Sequence, residues 1–325
     1  MKIIYMGTPD FAVGPLEAII EAGHEVTAVV TQPDKPKGRS DKLIPSPVKE
    51  VAVAHGIPVL QPVRLRNPES IEELRTYPAD IIVVAAFGQI LPREVLEMPR
   101  LGCVNIHASL LPHLRGASPI QHAILMGDSK SGVTIMQMDE GLDTGDILLQ
   151  ESIPIEADDT GGSLFDKLAG LGSQLIVRAL PMIESGELKP VPQDEALADH
   201  VGMLTKSMGQ IDFQRSAAET ERQVRGMNPW PGAFTSYKGR QLKVWKSACM
   251  TLDELRSLSG ESVNITSDKT MNPGTVLYTD KSSIYVSTAD GVLRIDELQL
   301  ECKKRMSVRD FLLGQHMDAG DRFGC

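Results

Sequence analysis

Residues 103–116 read Cys-Val-Asn-Ile-His-Ala-Ser-Leu-Leu-Pro-His-Leu-Arg-Gly, an apolar run carrying an amide and an imidazole two positions apart. Side chains alternate faces along a strand, so Asn105 and His107 share one face with Cβ atoms about 7 Å apart. One small reacting group can then touch both. Pro112 and Gly116 stop the strand and start a turn, which places the pair at a strand's carboxyl end, where open α/β sheets hold their ligands. A third polar group follows at Asp143, within Met-Asp-Glu-Gly-Leu-Asp-Thr-Gly-Asp at 138–146. Taken singly, a strand-end histidine reads as a packed core residue and a glycine-rich acidic turn as a solvated loop. Their combination reads as a site.

Working outward, apolar runs at 2–6, 25–31, 81–86, 102–107 and 133–138 alternate with helical or turn-rich stretches, the pattern of a parallel sheet in an α/β domain. Residues 146–155 read as a further strand near the sheet's end. Helical spacing appears at 15–22, with Pro15 at a tolerated early position, and at 163–184, where Pro181 is expected to end or kink the helix. Between about 186 and 206 the composition shifts to Gly, Pro, Glu, Asp and Ala without apolar periodicity. This places one domain at 1–189, a linker at 190–205 and a second domain at 206–325. The second domain carries short β-like runs at 232–237, 241–246, 274–278, 283–288 and 292–300, separated by Lys-Gly, Thr-Asp and Ala-Asp-Gly turns. Five short strands suggest a small barrel of the oligonucleotide-binding type.

At 325 residues two domains are the natural expectation, and 42% hydrophobic content is ordinary for a soluble globular chain. The four cysteines, at 103, 249, 302 and 325, form no CxxC pair and have no histidine partners at zinc-like spacing, which argues against a metal or a disulfide framework and suits a reducing cytosol. No basic leader precedes the first strand and no apolar run is long enough to span a bilayer, so the expected location is cytoplasmic, without a membrane. The net charge of -10 is unevenly spread. Residues 1–205 hold 16 Lys+Arg against 28 Asp+Glu, a balance of -12, whereas residues 206–325 hold 17 against 15, a balance of +2. The near-neutral second half is compatible with a basic face toward a phosphate backbone, since binding follows the local field. Gly7 follows the first strand but opens no G-x-G-x-x-G fingerprint, so a dinucleotide site is unsupported.

The stretch Asn-Ile-His-Ala-Ser-Leu-Leu-Pro at 105–112, with Gly-Leu-Asp-Thr-Gly-Asp at 141–146, resembles the signature of the formyltransferases that use 10-formyltetrahydrofolate. Three further segments are similar to the members of that group that act on methionyl-tRNA: 6–12 (Met-Gly-Thr-Pro-Asp-Phe-Ala), 38–47 (Gly-Arg-Ser-Asp-Lys-Leu-Ile-Pro-Ser-Pro) and 228–234 (Asn-Pro-Trp-Pro-Gly-Ala-Phe). The resemblance spans essentially the whole chain. It implies a Rossmann-like parallel-sheet formyltransferase domain followed by an OB-like β-barrel. It also implies 10-formyltetrahydrofolate as co-substrate, no metal, initiator methionyl-tRNA as the acceptor and no obligate protein partner.

Formyl transfer between amines passes through a tetrahedral carbon bearing an oxyanion. The oxyanion needs a hydrogen-bond donor, the incoming ammonium must lose a proton, and the departing folate nitrogen must gain one. Asn105 can donate without titrating. His107 can donate as imidazolium or shuttle the proton, and Asp143 can set the histidine's charge state or accept protons through water. Cys103 faces the same way as Asn105, but a cysteine in an apolar run packs as a small hydrophobe.

The resemblance implies that the turn at Ser109, Leu110, Leu111 and Pro112 lies against the folate, although plain turn packing explains the same residues. Phe87 and Gly88 follow the third strand and are expected to help line the folate pocket. The loop 32–47 holds Lys35, Lys37, Arg39 and Lys42 against Asp34 and Asp41, and reads either as solvated surface or, by resemblance, as the element that orders on the tRNA acceptor end. Arg39, Lys42, Lys206 and Lys243 are the candidate tRNA contacts. The alternatives are the same chemistry on a small amine such as a ribonucleotide or amino sugar, a nucleotide-dependent oxidoreductase, and a non-catalytic RNA-binding adaptor. The oxidoreductase lacks a phosphate fingerprint, and the adaptor leaves Asn105, His107 and Asp143 unexplained.

Overall fold

A computed structural model describes residues 1–36, 43–260 and 272–324. The chain packs as two units: Met1–Ile120, Lys130–Pro154 and Ser163–Gly202 form the first, and Gln121–Ser129, Ile155–Gly162 and Met203–Cys325 the second.

In the first unit, β-branched and apolar runs become seven strands of one sheet. These are β1 (Lys2–Gly7), β2 (Glu25–Val30), β3 (Val59–Leu60), β4 (Ile81–Ala85), β5 (Cys103–His107), β6 (Lys130–Gln137) and β7 (Ile147–Pro154). Their spatial order is β7-β6-β5-β4-β1-β2-β3. The portion β3-β2-β1-β4-β5 is parallel, while β6 and β7 join it antiparallel. Every residue of β4 and β5 is buried, as expected of strands covered on both faces. One face of the sheet packs Ile4, Met6, Val30, Ile82, Val84 and Cys103 into a single apolar cluster. The parallel order reverses between β1 and β4, and the carboxyl ends of those strands are where such sheets open a ligand crevice.

The long helix, Gly161–Ser185, continues past Pro181, so of the expected end or kink there the end is corrected. Leu175, Ile176, Ala179 and Leu180 are buried on its inner face while Pro181 is exposed, so the carbonyl freed by the missing N–H lies on the outer face, where water can satisfy it. The edge strand β3 has no counterpart in the sequence reading, because two residues are too short to show a period.

The second unit is built on β8 (Ala233–Tyr237), β9 (Arg240–Met250), β10 (Val276–Thr279), β11 (Ile284–Ser287), β12 (Val292–Leu300) and β13 (Met306–Ser307). All pair antiparallel in the order β8-β9-β12-β11-β10, with β13 on β12. Alternate residues such as Leu242, Val244, Leu293 and Leu298 fill its core. Phe323 bridges to Tyr237 and Arg322 to Thr275, with Phe323 N–H donating to the Gly274 carbonyl at 2.8 Å and Gly324 N–H to the Ser236 carbonyl at 2.9 Å. The carboxyl-terminal segment thus joins the outer strand β8 to the stretch leading into β10, and the sheet curls closed in the manner of a small barrel.

The sequence reading missed the helix Ala217–Gly226, which starts at a capping box in which Ser216 and Glu219 bond each other's backbone N–H. Its Arg222 Nε donates to the Leu125 carbonyl at 3.3 Å, and its Arg225 Nη1 to the Asp159 carbonyl at 2.7 Å. Gly162 N–H donates to the Asn228 carbonyl at 2.9 Å. These bonds hold 121–129 and 155–162, two pieces from the first half of the chain, inside the second unit.

Candidate active site

Strand β5 delivers Asn105 and His107 to the carboxyl end of the parallel sheet, both almost fully buried. Asp143 reaches them from the loop between β6 and β7, and all three lie in the first unit. Asn105 Nδ2 stands 3.5 Å from Asp143 Oδ1, and His107 Nδ1 stands 3.7 Å from the same oxygen. The other carboxylate oxygen, Oδ2, accepts the Gly116 backbone N–H at 2.9 Å. One oxygen of Asp143 is therefore anchored, and the other is the point on which the amide and the imidazole converge.

His107 Nε2 is 3.0 Å from the Leu114 carbonyl oxygen. A carbonyl only accepts, so Nε2 carries a proton and donates. In the neutral ring the lone pair is then on Nδ1, the nitrogen that faces Asp143. At 3.7 Å that contact is too long for a hydrogen bond. The arrangement anchors Nε2 and turns Nδ1 toward the Asp143 carboxylate.

The Asp143 loop has clear local causes. Gly145 lies so close to the Gln137 carbonyl that an added Cβ would stand 1.8 Å from its oxygen, so no other residue fits. Asp139 accepts from Gly141 N–H at 2.9 Å and Thr144 Oγ1 at 2.7 Å, which staples the turn. Asp143 itself has φ 56°, in the left-handed region that aspartate tolerates better than most residues. Ala86, Leu114 and Ser118 also have positive φ, at 45°, 62° and 60°. Such outliers gather where a site's geometry is imposed by its surroundings.

Cys103 is fully buried, its thiol is 3.5 Å from the Val95 carbonyl, and burial pushes its pKa up to about 12. It packs as a core residue with its thiol held protonated.

The turn after β5 is internally satisfied at several points. Thr134 Oγ1 donates to the Ser109 carbonyl at 2.7 Å, Leu111 N–H donates to Thr134 Oγ1 at 3.1 Å, and Gln150 Nε2 donates to the Leu111 carbonyl at 2.7 Å. His113 N–H takes the Leu110 carbonyl, at 3.1 Å, and Ser109 Oγ donates to the His113 carbonyl at 2.6 Å. Leu110 and Pro112 remain partly exposed. Phe87 points its ring into the core with Ile4 and Val84, and its carbonyl accepts from Thr8 Oγ1 at 3.2 Å and Gln32 Nε2 at 3.1 Å. Gly88 is exposed at the carboxyl end of β4 with φ 80°, beside the point where the sheet order reverses.

Arg39 and Lys42 lie outside the described residues. Lys206 and Lys243 belong to the second unit; Lys206 is exposed, and Lys243 Nζ lies 5.5 Å from the centre of the Trp245 ring, which Arg305 also approaches at 5.0 Å.

Sequence reasoning missed a set of groups packed around the site. Arg115, 1% exposed, donates through Nε to Gln193 Oε1 at 3.0 Å and through its terminal nitrogens to Glu195 at 3.0 and 2.8 Å. The pairing with Glu195 raises the Arg115 pKa above its ordinary value and holds the Glu195 carboxyl below its own. Asp199 accepts the Leu114 N–H and pairs with His113 Nδ1 at 2.8 Å. Arg115 stood in the opening stretch of sequence, but nothing local distinguishes a buried arginine from an exposed one. Gln193, Glu195 and Asp199 came from the stretch read as linker. Among the described residues no group of three or more His, Cys, Asp and Glu side chains is placed to hold a metal ion, and no helix is long and apolar enough to cross a membrane.

Comparison with known proteins gives the family of the chain. The family described as formyl transferase matches residues 1–180, and the formyl transferase C-terminal domain matches residues 203–316. A methionyl-tRNA formyltransferase of Lachnospira eligens is 53% identical over 324 residues, covering all of both chains. One of Clostridioides difficile is 46% identical over 320 residues, covering 98% of this chain and 99% of its own. Among solved structures, an N-formyltransferase of Helicobacter canadensis, in complex with folinic acid and dTDP-3-aminofucose, superposes with a TM-score of 0.64 at 20% identity, covering 94% of this chain and all of its own. HypX of Aquifex aeolicus in complex with tetrahydrofolic acid gives 0.61 at 18% identity, over 98% of this chain and 50% of its own, so these two establish the fold only. Identity near one half along the whole length, through both units, shows that the chain belongs to the methionyl-tRNA formyltransferase family.

Proposed function

We infer that the chain transfers the formyl group of 10-formyltetrahydrofolate to the α-amino group of methionyl-initiator tRNA, giving N-formylmethionyl-tRNA for translation initiation. The observation that carries the chemistry is the convergence of Asn105 and His107 on one oxygen of Asp143, at 3.5 and 3.7 Å. We assign Asn105 as the donor to the oxyanion, because its amide hydrogens do not titrate. His107 moves the proton through Nδ1, since Nε2 is held by the Leu114 carbonyl. A proton that arrives on Nδ1 faces the Asp143 carboxylate, which stabilises the imidazolium until the folate nitrogen leaves and takes a proton. Each such group typically contributes on the order of a hundredfold or more in rate.

The folate is proposed to lie along Leu110–Pro112 and past Gly88, at the carboxyl ends of β5 and β4. Phe87 supports this wall through its carbonyl and not through its ring. The acceptor is proposed to engage Arg39 and Lys42 in the early loop and Lys206 and Lys243 in the second unit. The Lys243, Trp245 and Arg305 group suits this role, since an aromatic face flanked by cations receives both a base and its phosphate. The functional division is a catalytic domain at 1–189, a connector at 190–205 and a tRNA-binding domain at 206–325. Bacterial translation is the setting, hence a cytoplasmic location with no obligate protein partner.

The test is product analysis with 10-formyltetrahydrofolate and either methionyl-tRNA or glycinamide ribonucleotide. Formylmethionyl-tRNA as the product supports the reading. Formylation of the small amine with none of the tRNA would replace it.

A further inference from the structure

The proton-transfer reading leaves one prominent group unused, the buried Arg115 with Gln193. Arginine only donates, so the Gln193 atom facing Arg115 Nε at 3.0 Å is Oε1, and the amide orientation follows. Gln193 Nε2 then donates to the carbonyls of Asp143, at 2.9 Å, and Gly145, at 2.7 Å. Both amide hydrogens are used on the carbonyls of the two residues on either side of Thr144. Arg115 is itself aimed by the two-pronged pairing with Glu195.

The residue so gripped is in a conformation it does not favour. Left-handed backbone is unfavourable for an L-residue and persists only when the surroundings impose it. If the loop relaxes, the Asp143 carboxylate leaves Asn105, His107 and the Gly116 N–H. The opposite side of the site is gripped by the same segment. Val201 pairs in parallel with Gly116, where an added Cβ would stand 2.5 Å from the Val201 oxygen, and Asp199 takes the Leu114 and Arg115 N–H groups. Leu114 is the residue whose carbonyl fixes His107.

We propose that Gln193, oriented by Arg115, is a positioning residue that holds Asp143 in its left-handed conformation and so sets the Asp143 carboxylate against His107. This rests on the reading of Asp143 as a participant in proton transfer. It gives the last segment of the first unit a role in the reaction beyond connecting to Met203.

The experiment uses the full chain with Gln193→Met, which keeps length and removes all three hydrogen bonds, and Gln193→Glu, which keeps the acceptor for Arg115 but sets a carboxylate against two carbonyls. Each variant is expected to lower kcat about 10- to 100-fold, with KM for both substrates within about twofold. In an Asp143→Asn background the Gln193→Met substitution should cost less than about twofold, because the group it positions no longer acts. Hydrogen exchange at the Gly116 amide, which donates to Asp143, should speed up at least about tenfold in Gln193→Met. Turnover within twofold of wild type, equal losses in both backgrounds, or unchanged Gly116 exchange each overturns the proposal. So does loss of the fold in both variants, which makes Gln193 a structural residue. If Asp143→Asn alone leaves turnover intact, the reading of Asp143 fails, while Gly116 exchange still decides whether Gln193 positions it.

Discussion

The imidazole of His107 donates through Nε2 to the carbonyl of Leu114 at 3.0 Å, and Leu114 holds that carbonyl from a backbone φ of 62°. A leucine in the left-handed region is a costly anchor, of order 1–3 kcal/mol, so the packing around it must impose this geometry. The consequence is chemical. One nitrogen is spent on orientation, and the other is turned to the carboxylate of Asp143.

His107→Ala and Asn105→Ala are each expected to lower turnover at least about a hundredfold, because both act chiefly on the transition state. His107→Ala also leaves the buried Leu114 carbonyl with only the long contact from Ser109 Oγ at 3.5 Å, at a cost of about 1 kcal/mol in urea unfolding. Asn105→Ala removes a long 3.5 Å donor from Asp143 Oδ1, so its cost in stability should be smaller. Rates within tenfold of wild type for either variant would remove it from the site.

Asp143→Asn keeps an oxygen for the Gly116 N–H and tolerates the same backbone region, so the fold should survive. It cannot ionise. Turnover should fall about as far as in the histidine variant, and the pH–rate profile should flatten or shift. An unaltered profile would make Asp143 a turn residue.

Cys103 has its thiol pushed up to about 12 by burial, so at pH 8 it is protonated and beyond reach of alkylation. Iodoacetamide with peptide mapping should modify the exposed Cys249 and Cys302 and spare Cys103. Cys103→Ala should keep turnover within about threefold while costing about 1–2 kcal/mol for the small cavity. A hundredfold loss of activity with intact stability would show that Cys103 takes part in the reaction.

Residues 1–205 expressed alone contain the whole Asn105, His107 and Asp143 group and should bind folate without binding methionyl-tRNA tightly. Yet this piece lacks Arg222, Arg225 and Asn228, which satisfy 121–129 and 155–162. Each buried polar group left unpaired costs about 1–3 kcal/mol, so the truncated chain should unfold at clearly lower urea than the first transition of the full chain. The log affinity of the full chain for tRNA should fall with log salt, at roughly 0.7 to 0.9 per phosphate contact, with a shallower slope for the truncated form. Equal slopes would take tRNA binding away from the second unit.

The places of six of the seven sheet strands along the chain, the face shared by Asn105 and His107, the five β runs of the second half and the glycine turns were legible in the sequence. They are local: a period of two fixes which way a strand's side chains point, and a turn needs its glycine within a few residues. Only the tertiary structure decided what depends on pairing across distance. Asp143 meets Asn105 from 38 residues away, Gln193 meets Asp143 from 50, and Arg115 meets Gln193 from 78. No local pattern marks such partners, because a polar residue that will be buried by a distant segment looks like one that stays in water. The same reason hid the fate of 121–129 and 155–162, and the antiparallel direction of β6 and β7. Strand direction and segment packing are properties of the closed chain, set by which surfaces bury one another once the sheet has formed.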